Sequence, residues 1–224
     1  MRQLTTTKAE AAYGELRARI LDGSLAPGSS LEQAIIAEEY GISTTPVREA
    51  LRRLESEQLV VVRAHHGPRV ADLSADELHN LYAVRLELDP LAAELAADAA
   101  TDTELAAIRA LVEPPFRTPA ERVSANREFH RSIYEACGNP VLTQVLDSLW
   151  NRCDRYRFLL LSDADSGDVN RHDAEHRAMV AALESRDGTT LRGLVRDHVA
   201  HSYQQISRLA QDFSTARTVE PVAR

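Results

Sequence analysis

The chain has 224 residues, 44% of them hydrophobic, and a formal net charge of −8. That is enough for one large or two modest domains with buried cores. No run of 18 apolar residues occurs, and the N-terminus lacks a signal peptide's apolar region, so a membrane span and a secreted protein are not expected and a cytoplasmic one is. Cys137 and Cys153 are the only cysteines and have no metal-type spacing, so a disulfide scaffold or a zinc finger is not expected either.

In chain order, Leu31, Ile35, Ile36 and Tyr40 mark a first short helix, with Gly41 placed to end it in a left-handed conformation. Ile42-Ser43-Thr44 has the length of a turn between two steeply angled helices. The next segment is the most informative. Thr45 is read as its cap and Pro46 as the first helical residue. Val47, Ala50, Leu51 and Leu54 form an inward stripe. Arg48 and Arg52, one turn apart on another face, can reach phosphates or guanine edges in a DNA major groove. Leu59 to Arg63 has β-branched strand character and Arg69-Val70-Ala71 can pair with it, leaving His65-His66-Gly67-Pro68 as a hairpin tip. Helices followed by a hairpin describe a winged helix-turn-helix, with Thr45, Arg48, Arg52, His65, His66 and Gly67 as its DNA-facing residues.

Charge is distributed unevenly. Residues 1–72 carry nine Lys/Arg and ten Asp/Glu, so most of the negative charge lies beyond them. A weakly basic surface on an acidic body implies weak nonspecific DNA binding and a need for two half-sites, hence a homodimer on a palindromic operator.

From Ser74, where Ser74 and Glu77 form a capping-box signature, only helical patterns follow. The expected spans are 75–100, 102–113, 119–137, 140–163, 169–186 and 189–213. Pro90 predicts a kink in the first, and 214–224 is expected to be an unstructured tail. The domains are therefore 1–73 and 74–213, a mainly α chain with a winged helix-turn-helix and an all-α antiparallel bundle.

Polar residues interrupt the bundle's stripes. Arg85 takes a core slot, with Asp89 four residues later to neutralise it. Asn126 and His130 lie one turn apart on an inward face. His176 joins Met179 and Leu183, and His198 joins Leu194 and Val195. Single inward histidines are more often hydrogen-bonded core residues than ligands. Three on three helices fit a metal site equally well, and spacing alone leaves His172 and His201 able to fill two of the places.

The segment from Tyr13 to Leu73, including Ile20-Leu21-Asp22-Gly23-Ser24-Leu25-Ala26-Pro27-Gly28, resembles the GntR family of bacterial transcription regulators. Two positions depart from the family pattern: Thr44 replaces a usual Arg, and Gln58 a usual Gly. The remainder, through Asn126-x-x-Phe129-His130-x-x-Ile133, Gly138-Asn139-Pro140, Arg85 with Asp89-Pro90, His176 and His198, resembles the FCD effector domain of FadR-type members, in a six-helix, VanR-like form. The resemblance implies a divalent cation, Zn²⁺ or Ni²⁺, held by Asn126, His130, His176 and His198. It implies a ligand-responsive regulator, a repressor released when a small organic acid binds and shifts the spacing of the two winged helices. Three neutral imidazoles and an amide would leave the cation's charge uncompensated, which favours a carboxylate effector and weakens metal retention. Arg85 and Tyr134 are the effector candidates, with Arg152, Arg155 and Tyr156 as further lining residues. A purely structural ion is the alternative. A metalloenzyme is not expected, because no acid has evident reach to the cluster as a general base.

Overall fold

The computed structural model describes residues 7–63, 67–112, 119–156, 159 and 168–219. The chain divides into two units, Met1–Leu73 with Asp154–Phe158, and Ser74–Cys153 with Leu159–Arg224.

The first unit contains α1 (Lys8–Leu21), α2 (Gln33–Glu39), α3 (Thr44–Ser56), β1 (Val60–Arg63) and β2 (Gly67–Val70). The α3 stripe of Val47, Ala50, Leu51 and Leu54 is buried with Leu16 and Ile20 of α1 and Ile36 of α2. The strands pair antiparallel, Val60 opposite Val70 and Arg63 opposite Gly67. The segment before α2 lies against them, since Leu31 N–H donates to Pro68 and Val70 N–H to Ser29. Gly41 has φ +60°. Its N–H bonds to Glu38 and that of Ile42 to Ala37, closing α2 through the left-handed residue.

Three local expectations need correction. Ser43, not Thr45, precedes α3, and its side chain makes no capping bond. Pro46 is therefore the third helical residue, still within the first turn, where an N–H has no intrahelical acceptor and the ring is tolerated. Ile35 is 57% exposed whereas Ile36 and Ala37 are buried, so the inward face of α2 is centred on Ile36 and Ala37 and leaves Ile35 outside it. Gln58 has φ +59°, and it ends α3 with the same bond pair, Gln58 N–H to Glu55 and Leu59 N–H to Leu54. A glycine would adopt that backbone without strain.

The second unit is helical: α4 (Ala75–Ala99), α5 (Asp102–Ala110), α6 (Pro119–Ala136), α7 (Pro140–Asp154), α8 (Asp168–Glu184) and α9 (Gly188–Val219). Ser74 caps α4 through Glu77 N–H, and Thr101 with Glu104 completes a reciprocal capping box on α5. α9 packs antiparallel on α4, with Arg192 paired to Glu94 and Arg196 to Glu87. Near the other end His79 lies 3.1 Å from the Tyr203 hydroxyl. α4 runs on through Pro90, which cannot donate to the Leu86 carbonyl; Arg196 Nη1 meets that oxygen at 3.4 Å instead. α5 ends at Ala110 rather than 113, and α7 at Asp154 rather than 163. α9 continues to Val219, so the tail expected from Ser214 is helical that far. The apolar periodicity of the sequence ends near 213, but no Gly or Pro interrupts the backbone before Pro221.

Candidate metal centre and DNA-reading face

α3 presents two faces fixed by its own periodicity. Thr44, Thr45, Arg48, Glu49, Arg52 and Arg53 are exposed opposite the buried stripe. Among the described residues the hydrogen bond of Arg48 is to Gln33, at 3.4 Å, so its guanidinium can be redirected at little cost. Arg53 is engaged: its guanidinium carbon lies 3.7 Å above the Tyr13 ring. Arg69 on β2 donates to the Gly28 carbonyl at 2.8 Å. At the wing, Gly67 is exposed with φ +66°, while His65 and His66 lie outside the described residues.

In the second unit, α6, α8 and α9 bring His130, His176 and His198 together. All three are buried, and one ligand nitrogen from each lies within 4.8 Å of the others. His130 Nε2 is 3.1 Å from His198 Nε2. Two imidazoles on one Zn²⁺, with Zn–N of about 2.05 Å, would place their nitrogens about 3.3 Å apart in a tetrahedron. His176 Nε2 and Asn126 Oδ1 are buried without a hydrogen-bond partner, and Asn126 shares the His130 face of α6 by its one-turn spacing. The donor set thus suits a divalent ion, and the cluster can hold one.

Electrostatics favour the ligand form of these rings. Burial pushes His176 down to about 2, helped by His198 and His172. Burial, then His198 and His176, holds His130 well below the ordinary histidine range. Both rings are therefore neutral at pH 7, with lone pairs available. Phe129 packs 4.5 Å from the His176 ring and Trp150 5.4 Å from that of His130, a largely apolar wall around the cluster.

Arg85 and Asp89 form the buried pair expected of them. Arg85 Nη2 and Nε reach Asp89 Oδ2 at 2.7 and 3.2 Å. Burial opposes the charge on Arg85, but Asp89 together with Tyr82, Cys153 and Tyr134 outweighs it, so its pKa rises. Tyr134 donates to the same oxygen at 2.8 Å and accepts from Trp150 Nε1 at 3.1 Å. Arg85 also stacks on Trp150, 4.1 Å from the ring centre, so both Arg85 and His130 lie against that indole. The Tyr134 hydroxyl is committed to Asp89 and Trp150, which makes Tyr134 a wall and a brace more than a free donor.

The further lining candidates are placed otherwise. Arg152 pairs with Glu77 at 2.8 Å. Arg155 and Tyr156 fall in the first unit, where Arg155 Nη1 donates to the Gln58 carbonyl at 3.0 Å. The chain turns at 155–156 instead of continuing α7, which takes both residues off the helix they were expected to belong to. Glu175 is the residue that sequence reasoning missed. Its carboxylate lies 2.7 Å from His198 Nδ1 and 3.1 Å from His201 Nδ1, and the hydrogen bond with His198 holds its pKa down to about 2. The expectation that no acid reaches the cluster is thereby corrected, since Glu175 meets His198; no local signal announces a reach across to α9.

A model of the bacterial regulatory proteins of the gntR family matches residues 8–70, and a model of the FCD domain matches residues 80–201. The chain is 31% identical over 204 residues to the HTH-type transcriptional regulator BphR of Paraburkholderia xenovorans, covering 86% of this chain and 82% of that one. It is 30% identical over 203 residues to a probable D-xylose utilization operon transcriptional repressor of Paenarthrobacter nicotinovorans, 87% of each chain. Among solved structures, E. coli McbR/YncC superposes with a TM-score of 0.78 at 26% identity, over 93% of this chain and 100% of that one.

Proposed function

The chain belongs to the GntR family of bacterial regulatory proteins and carries an FCD domain; from that premise we propose a homodimeric repressor released by a small organic acid bound at a metal site. It is a DNA-binding transcription regulator, as its domain matches and relatives are. Arg48 and Arg52 make the base or phosphate contacts, Thr45 supports the phosphate backbone, and the His65-His66-Gly67 tip enters the minor groove. Asn126, His130, His176 and His198 hold the cation, Zn²⁺ or Ni²⁺ by the preference of imidazole donors. A cation held there would supply a positive centre for one carboxylate of the acid.

Arg85 supplies the second positive charge. Its Nε and Nη2 are used on Asp89, so it acts on a carboxylate through its charge. Tyr134 and Trp150 fix the pair and wall the site. The observation that carries this reading is the convergence of three buried imidazoles, two with nitrogens 3.1 Å apart, beside an unpartnered Asn126 oxygen. A structural ion would need the same donors but no nearby cation aimed at an anion.

A thermal-shift screen against organic acids, with chelator or with added Zn²⁺ or Ni²⁺, separates the two. Stabilisation by an acid only when metal is present supports effector binding at the cluster. Stabilisation by metal with no response to any acid assigns the ion a structural role.

A further inference from the structure

His198 is 3% exposed, so no bulk water competes for its outer nitrogen. That nitrogen, Nδ1, is 2.7 Å from Glu175 Oε2. An ionised carboxylate only accepts, so Nδ1 carries the proton and Nε2 the lone pair. Nε2 is the atom that faces His130 at 3.1 Å. Glu175 is itself held from behind, its Oε1 accepting from Arg171 Nε at 2.9 Å and lying 3.1 Å from His201 Nδ1. The carboxylate therefore has both oxygens fixed, one aimed into the cluster and one tied to α8 and α9.

We propose that Glu175 is the positioning residue of the cation site, fixing the His198 tautomer and supplying the negative charge that Asn126 and three neutral imidazoles lack. This rests on the reading that the cluster holds a divalent cation. A carboxylate hydrogen-bonded behind a ligating imidazole raises its basicity and orients its ring, and loss of such a partner typically weakens metal binding ten- to a hundredfold. Retention of the ion is accordingly stronger than the neutral donor set alone implies. Arg171 and His201 act through Glu175 and not on the ion.

The test uses the full chain and Zn²⁺ alone. Chelator competition measures Zn²⁺ affinity for wild type, Glu175→Gln, His176→Ala, and Glu175→Gln combined with Asn126→Asp. Glu175→Gln keeps the size and lets the amide face either tautomer. It should lose roughly ten- to a hundredfold in affinity, and the added Asn126→Asp should restore part of that loss by returning the charge. Histidine ¹⁵N spectra of the chelator-treated protein should show His198 protonated at Nδ1 in wild type and mixed in Glu175→Gln. Unchanged Zn²⁺ affinity in Glu175→Gln, with His176→Ala impaired, overturns the role. So does a wild-type His198 protonated at Nε2. Failure of wild type to take up Zn²⁺ overturns the cation reading itself, and the charge role with it, while the spectra still decide whether Glu175 sets the tautomer.

Discussion

Gln58 and Tyr134 show how much a single residue can carry. Gln58 holds a left-handed backbone, φ +59°, where an L side chain costs about 1 kcal/mol or more. Its side chain is exposed and α3 is closed by backbone bonds alone, so Gln58→Gly removes strain without removing a contact. A gain of about 0.5–1 kcal/mol in urea unfolding of the full chain is expected, less than the full strain because glycine loses more entropy on folding. A loss of stability would show that the Gln58 side chain has a role its exposure hides. Tyr134 is the opposite case. Tyr134→Phe strips Asp89 of one donor and Trp150 Nε1 of its acceptor, both buried. The expected cost is about 1–3 kcal/mol, the desolvation penalty of groups left unmatched. An unchanged Tm would mean that solvent reaches the pair.

At the scale of elements, the DNA-reading helix and the three histidine-bearing helices make different demands. Arg48→Ala on the exposed face of α3 should weaken operator binding by about 1–3 kcal/mol without lowering Tm, since the side chain's hydrogen bond among the described residues is to Gln33. Equal affinity of variant and wild type in a gel-shift titration would remove Arg48 from the interface. The histidine helices instead make the metal-free bundle acid-sensitive. His176 and His130 have folded pKa values below the unfolded value near 6.5, one of them down to about 2. Below pH 6.5 the unfolded chain binds protons that the native rings refuse. Their contribution is therefore complete above that value and is lost as pH falls, at about 1.4 kcal/mol per pH unit for each ring. The Glu175 share, with its pKa at about 2, is lost only below the ordinary carboxylate range. Urea midpoints of chelator-treated protein should hold steady from pH 8 to 7 and drop clearly by pH 5.5; a flat profile would place the rings in contact with water.

What could be read in the chain follows from which features are local. The two faces of α3, the Gly41 stop and the Ser74 cap of α4 are encoded within one or two turns, and they appear where expected. The histidine positions were legible as inward slots, since each interrupts an apolar stripe. Their meeting was legible only through the family resemblance, because it depends on how α6, α8 and α9 pack. Glu175 shows the limit. Its partner is 23 residues away on another helix, and nothing in the neighbouring sequence distinguishes it from an ordinary solvated acid on a helix face. The end of α7 at Asp154 was hidden for a different reason: helical periodicity can persist in sequence where the chain turns.

For the molecule as a whole, the governing quantity is charge. A net −8 chain must bind a polyanion through a small surface. Within that surface Arg53 is stacked on Tyr13 and Arg69 is bonded to the Gly28 carbonyl. Arg48 and Arg52 are left as the main mobile cations of the reading helix. One winged helix that neutralises about two phosphates gives a slope of log K against log salt near −2, and two of them near −4, by the release of about 0.9 counterion per contact. With so few cations on the reading helix, the proposed homodimer would gain its discrimination by engaging both half-sites together. The expected result is a slope near −4 with two chains per operator, and roughly half that slope on DNA carrying a single half-site. A slope near −2 with one chain per operator would mean that the regulator reads DNA as a monomer, and the homodimer would have to be abandoned.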